Sequence, residues 1–454
     1  VGWIGLDLGT QSVRAVLADA KGSVLARATR PLASHRDGVR HEQDPQEWLA
    51  AVDAVLAEVG RKGVDGIAIC STSGTFLLTD HAGRPVTTAL MYDDARAAAR
   101  RDQIVDADPD RWATSMQPTW ALPKILDLDL TGRRVAHSAD FVAAHLVGHP
   151  VATDTSHALK TGYDLIAESW PTAAFDKLGL PLDAFPEVVR PGAELGRTPD
   201  GIPVYAGMTD GCAAQIAAGA LAPGAWNSVL GTTLVLKGVS ADLITDPTGA
   251  VYSHRHPDGG WLPGGASSSG AGVLTELLPG ADLDALDHAA HPVDAVTYPL
   301  TKTGERFPFV APQAERFTLG STPDDLHTYA AVLQGVAFVE RLAFEHLAKL
   351  GADPVRSVSL TGGATRSGYW NQLRADVLGV PVELPAVPDP AYGMAVLAAS
   401  GGDDLTGTAS RMVRVARVLE PGSRRPAIPN RMERSLDDLY GEFVAELDRR
   451  GYRR

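Results

Sequence analysis

Gly9 and Gly231 lie 222 positions apart, and each sits in the same local pattern. The first copy reads Gly5-Leu6-Asp7-Leu8-Gly9-Thr10-Gln11-Ser12-Val13-Arg14. The second reads Ser228-Val229-Leu230-Gly231-Thr232-Thr233-Leu234-Val235-Leu236-Lys237. Both spell strand, tight Gly-Thr turn, strand, because apolar and β-branched residues flank a glycine able to take positive φ. A bare glycine also lets the backbone approach a ligand. A chain with one such hairpin per half is constrained toward a duplicated α/β fold, and paired hairpins suit gripping a polyphosphate from two sides. Only the first copy carries an acid, Asp7. That asymmetry points to an enzyme dividing nucleotide and acceptor between two lobes.

At 454 residues the chain exceeds one ordinary core, and we expect domains at 1–217 and 218–454. Hydrophobic content of 44% and charged content of 21% are those of a globular protein. A formal charge of −14 argues against nucleic-acid or anionic-membrane partners, which call for a basic face. A bound nucleotide must then be held by local N–H groups and Mg²⁺. Cys70 and Cys212 cannot build a disulfide framework, which suits a reducing cytoplasm. No apolar run reaches the roughly 18 residues of a membrane span, and no export signal is visible.

The opening reads as a meander of strands at 3–8, 13–19 and 23–29. A helix follows, with Asp44 as N-cap, Pro45 at its first position and Glu47 at its third. A buried strand at 66–70 then ends in Ser71-Thr72-Ser73-Gly74. Strand, acid and helix recur at 203–207, Asp210 and 213–221. Beyond the second hairpin come a Gly/Ser-rich stretch at 259–272 and a long amphipathic helix at 323–350, with Thr322 as cap. A strand at 355–360, the turn Thr361-Gly362-Gly363-Ala364 and a helix at 369–378 follow. A last helix, 432–450, reads as a surface brace.

Asp7 lies within an otherwise apolar strand, where an ionised carboxylate is costly unless paired or metal-bound; Arg14 could compensate it or reach a phosphate. Asp210, after a strand, reads as a helix N-cap and also as a general base. The Gly362-Gly363 turn could lie bare against a nucleobase. No P-loop or nucleophile elbow is present. His254, His256, His288 and His291 lack zinc-site spacing and are expected at the surface. The two cysteines read as small buried residues.

Taken together the pieces resemble the FGGY carbohydrate kinases, which have a two-domain actin/hexokinase/Hsp70-like (ribonuclease H-like) α/β fold with a cleft between lobes. The matching motifs, in order, are Asp7-Leu8-Gly9-Thr10, Gly207-Met208-Thr209-Asp210, Leu230-Gly231-Thr232-Thr233, Thr361-Gly362-Gly363-Ala364 and Tyr392-Gly393-Met394-Ala395. The resemblance implies that Asp210 deprotonates the sugar hydroxyl, while Asp7 helps hold Mg²⁺ and the acceptor. It assigns ATP to Thr10, Gln11, Ser12, Arg14, Gly231, Thr232, Thr233, Gly362, Gly363 and Ala364, and implies lobe closure over the substrates. Ile69-Cys70-Ser71-Thr72-Ser73-Gly74-Thr75 and His157-Ala158-Leu159-Lys160-Thr161-Gly162-Tyr163 are similar to the D-ribulose kinase branch of plants and cyanobacteria, which places Ser73 on the sugar. That branch usually has Asp at position 70 and Asn at 157. Met91-Tyr92-Asp93-Asp94-Ala95-Arg96 is closer to a segment of xylulose kinases. The expectation is therefore a cytoplasmic ATP-dependent D-ribulose kinase, monomer or homodimer. The alternatives are a D-xylulose kinase and a non-catalytic sugar-binding regulator on the same fold.

Overall fold

Apart from half-buried Trp3, every residue of strand Gly2–Leu8 is buried, and a six-stranded sheet is built around it. In the computed structural model, which describes residues 2–422 and 435–453, this sheet belongs to a unit made of Val1–Gly219, His254–Gly260 and Asp389–Val413. Its strand order is Glu194–Arg197, Pro203–Tyr205, Val64–Ser71, Gly2–Leu8, Ser12–Ala18, Val24–Pro31. Gly2–Leu8 pairs antiparallel with Ser12–Ala18, which sets Asp7 opposite Arg14. It pairs parallel with Val64–Ser71, which sets Asp7 beside Cys70. Helix Pro45–Val59 starts as its sequence dictates: the Asp44 carboxylate accepts the Gln46 N–H at 2.8 Å and proline takes the first turn. Its apolar stripe (Trp48, Val52, Val55, Leu56) covers one face of the sheet.

Helix Pro390–Ser400 packs on Gly2–Leu8 with almost no separation. A Cβ at Gly5 would fall 1.7 Å from the Ala391 carbonyl oxygen, and one at Gly393 would fall 2.1 Å from that of Ala213 in helix Asp210–Ala217. The helix crosses both elements because glycine stands at each crossing. A division at 217/218 misses this return of the chain to the first unit.

The second unit comprises Ala220–Ser253, Trp261–Pro388 and Arg414–Arg454. A seven-stranded sheet runs Tyr252–Arg255, Trp261–Ala266, Leu234–Lys237, Ala225–Leu230, Ser357–Thr361, Val382–Pro385, Val415–Leu419. The long helix covers Asp325–Lys349, and its cap is Asp324, whose carboxylate accepts the His327 N–H at 2.9 Å, rather than Thr322. A free carboxylate two residues later outcompetes the threonine hydroxyl for the first-turn donors. The last described helix, Leu436–Arg449, opens with a reciprocal Ser435/Asp438 capping box. Residues 432–434 of the expected helix lie outside the described residues. Leu436, Leu439, Phe443 and Leu447 join the core of this unit, so the helix is a core element and not a surface brace. Among the described residues no helix is long and apolar enough to cross a membrane.

Candidate active site

In the first unit the Asp7 side chain is only 6% exposed, and the Arg14 guanidinium lies 3.6 Å away. Burial and then the Asp210 carboxylate push its pKa up to about 7; Arg14 opposes the rise and Asp389 adds to it. Asp389 caps helix Pro390–Ser400, accepting the Ala391 N–H at 3.0 Å. It brings a third acid toward Asp7 that no local sequence signal announces. Asp210 is not the N-cap expected of it: Thr209 occupies the cap and Asp210 is the first helical residue, accepting the Gly211 N–H at 2.8 Å. Cys70 and Cys212 are buried thiols outside any disulfide; the Cys70 Sγ donates to the Leu6 carbonyl at 3.4 Å, and burial raises its pKa.

The Gly9 turn closes by a Gly9 N–H to Ser12 carbonyl bond of 3.1 Å, and neither Gly9 nor Gly231 has the positive φ its turn suggested. Gln43 braces this turn, its Nε2 donating to the Thr10 carbonyl at 2.7 Å while its Oε1 accepts from Trp48 at 2.7 Å. Gln11 is exposed, and Thr10 and Ser12 are half-buried. No hydrogen bond among the described residues engages the Thr10 or Gln11 N–H.

Ser73 is carried on the turn after Val64–Ser71. Its Oγ is buried with no hydrogen-bond partner among the described residues, while its carbonyl accepts from Lys160 Nζ at 3.0 Å. The neighbouring Gly74 carbonyl accepts from Lys124 Nζ at 3.3 Å, and Lys124 also reaches the Met91 carbonyl at 2.7 Å. Burial drags the Lys124 pKa down to about 7 despite Asp94. Asp94 is fully buried and its carboxylate accepts the His41 N–H at 2.7 Å and Arg96 Nε at 2.9 Å; Asp93 pairs with His41 and Arg36. The 91–96 segment is thus a turn tied by its charges to residues 36–42.

In the second unit the Gly231 turn closes by a Gly231 N–H to Thr233 carbonyl bond of 3.1 Å. Among the described residues the Thr232 and Thr233 N–H groups make no hydrogen bond. A Cβ at Gly231 or Gly363 would meet nothing within 4 Å. Gly362 differs: its φ is +89° and a Cβ there would fall 2.5 Å from the Leu230 carbonyl oxygen. Strands Ala225–Leu230 and Ser357–Thr361 run parallel, with Val229 opposite Thr361, so this packing sets the two turns side by side. Ala364 follows in a 3₁₀ turn, half-buried. Glu305 anchors the Gly/Ser-rich stretch, accepting Ser267 Oγ, the Ser268 N–H, Ser269 Oγ and Tyr298 OH within 3.1 Å. Gly272 donates to the Thr232 carbonyl at 3.1 Å, which ties that stretch to the turn.

Residues 2–117 match the N-terminal domain model of the FGGY family of carbohydrate kinases, and residues 227–401 match its C-terminal domain model. The chain belongs to the FGGY family. Asp210 lies in the stretch that neither model covers. A xylulose kinase of Escherichia coli strain K12 is 28% identical over 440 residues, spanning 87% of this chain and 89% of that one. A glycerol kinase of Gloeobacter violaceus is 27% identical over 469 residues, spanning 93% of both chains. The crystal structure described as a xyloylose kinase from Brucella ovis superposes with a TM-score of 0.87 at 25% identity over 98% of each chain. The fold is therefore the two-domain α/β fold of FGGY kinases, and the chain is a sugar phosphotransferase by family.

Within this FGGY chain sequence reasoning missed Asp389, Gln43 and Lys124. Each acts through a contact distant in sequence, and only a buried charge without local compensation could have flagged them. His254 and His256 are buried, not at the surface. His256 Nδ1 accepts the Asp258 N–H at 3.0 Å and burial lowers its pKa, so it sits as a neutral turn brace. Among the described residues no three His, Cys, Asp or Glu side chains gather closely enough to hold a metal by themselves. That fits Mg²⁺, which takes one or two carboxylates and completes its shell with phosphates and water. The crowding of Asp7 by Asp210 and Asp389 is what a divalent cation would relieve.

Proposed function

We propose that the chain is an ATP-dependent kinase that phosphorylates the terminal hydroxyl of a ketopentose, with D-ribulose as the preferred acceptor. The observation that carries it is an acid pair, buried Asp7 crowded by half-buried Asp210 at the start of a helix, in a unit where, among the described residues, the Thr10 and Gln11 N–H groups make no hydrogen bond. Asp210 would accept the proton of the attacking hydroxyl. Because phosphoryl transfer has a loose transition state, orientation of that hydroxyl matters more than full deprotonation. Asp7 would hold Mg²⁺, which when bound neutralises charge on the β- and γ-phosphates. The free N–H groups of Thr10, Gln11, Thr232 and Thr233 suit phosphate oxygens, and Gly363 presents bare backbone for the nucleoside. Arg14 is drawn toward Asp7, which supports charge balance as its first duty and phosphate contact as a second.

Support for D-ribulose comes from Ser73, whose buried and unpartnered Oγ suits a sugar hydroxyl. D-xylulose is the second reading, favoured by the relatives named xylulose kinase. The two sugars differ at C3, and a site built to bond one hydroxyl loses affinity when that partner is misplaced. An ADP-release screen over D-ribulose, D-xylulose, glycerol and gluconate tests the assignment. The expected kcat/KM for D-ribulose exceeds that for D-xylulose by about tenfold; the reverse order transfers the assignment to D-xylulose.

A further inference from the structure

A buried chain of polar side chains in the first unit has no part in the chemistry above. His157 is fully buried, its Nδ1 bonded to Asp154 and its Nε2 2.8 Å from Ser71 Oγ. Ser71 Oγ also accepts from Ser138 Oγ at 2.8 Å. The other oxygen of Asp154 accepts Ser156 Oγ at 2.5 Å, the Ser156 N–H at 2.8 Å and the His157 N–H at 3.2 Å. Ser156 Oγ in turn accepts the Thr209 N–H at 2.9 Å. Thr209 immediately precedes Asp210, and Ser71 ends the strand that delivers Ser73. The two segments also meet directly in a parallel bridge between Ser71 and Thr209. The order Ser71, His157, Asp154 is that of a hydrolytic triad, but Ser71 has no exposed surface, so no substrate reaches it.

We propose that His157 and Asp154 are positioning residues of the sugar site: they lock the Thr209–Asp210 helix start to the Ser71–Ser73 turn and so set sugar affinity and the aim of the hydroxyl at Asp210. The inference rests on the kinase reading. An imidazole bonded through both ring nitrogens has a fixed plane, and removing it leaves Asp154 buried without its countercharge. The charged groups facing His157 are Asp154, Asp140 and Asp210, and the His137 ring lies 6.0 Å away. Burial works against charge on the ring, but Asp154 outweighs it and the His157 pKa is raised. A positive ring toward Asp210 favours the ionised base.

The test is His157→Gln, which keeps hydrogen-bonding capacity without charge, beside Ser156→Ala, which cuts the link to Thr209 and one bond to Asp154 while leaving the imidazole in place. In His157→Gln the sugar KM should rise about tenfold with the ATP KM within about twofold. The acid limb of kcat/KM should move up by roughly half a pH unit or more. In Ser156→Ala the sugar KM should rise with the acid limb in place. A lowered Tm with wild-type sugar KM and an unmoved acid limb would show a purely structural role and overturn the proposal. If His157→Gln does not fold, a wild-type sugar KM in Ser156→Ala overturns it alone. Should the wild-type enzyme release no ADP with any carbohydrate, the kinase reading fails separately. Calorimetric sugar affinity in the same variants then decides the positioning role, and unchanged affinity overturns it.

Discussion

Asp7 is a residue held against its own preference. Its carboxyl is pushed from the ordinary 3.8 to about 7, so folding takes up a proton between those values and stability falls as pH rises through them. Asp7→Asn should therefore be more stable than wild type at pH 8, by at most about 4 kcal/mol, and no more stable below pH 3.8. Thermal melts across pH check this; a variant less stable at pH 8 contradicts it, and the same variant should lack kinase activity. Asp210→Asn should cut kcat by about 10²-fold or more while ATP affinity stays near wild type; a tenth of the wild-type rate in the folded variant removes Asp210 as base. Ser73→Ala fills no role in folding that its unpartnered Oγ now serves, so Tm should hold while kcat/KM for the sugar drops. Asp7 and Asp210 stand out in the sequence because an acid ending or interrupting an apolar run is conspicuous. Asp389 does not, because what brings it into the argument is Asp7, far away in the chain; His157 is singled out by resemblance, but its bond to Ser71 is not readable from the sequence.

Among elements, the two Gly-Thr hairpins were readable in outline and misread in detail. Apolar alternation gives the strands, but neither turn glycine takes positive φ, and at Gly231 it is open space that the missing side chain leaves. That distinction predicts opposite outcomes at adjacent turns of the second unit. Gly231→Val meets no neighbour and needs no forbidden φ, so Tm should stay within a degree or two while ATP affinity falls about tenfold or more and sugar affinity holds. Gly362→Ala collides with the Leu230 carbonyl at a φ of +89°, so it should lower Tm by several degrees. Calorimetry and melting curves on both variants separate the roles, and unchanged ATP affinity in Gly231→Val excludes that turn from the nucleotide site. Caps were misassigned by one or two residues: Asp324, not Thr322, accepts the first-turn N–H of the long helix, and Thr209, not Asp210, holds the cap of the helix after it.

At the scale of the whole molecule, the class of fold followed from a repeated hairpin and the family from five motifs in order. Where the chain divides did not follow, since a linear reading assumes each unit is one continuous stretch. The return of Asp389–Val413 to the first unit was invisible because an alanine-rich helix is apolar all round and suits either core equally. A fragment ending at residue 219 lacks the helix that covers Gly5, and it should be insoluble or bind a hydrophobic dye where the full chain does not. That arrangement also orders events at the ribosome. The first strand emerges early, yet the helix that seals it is made only after some 390 residues, at a few to about twenty residues per second. For many seconds each nascent molecule carries an unfinished sheet face, and over that interval a chaperone has most to protect.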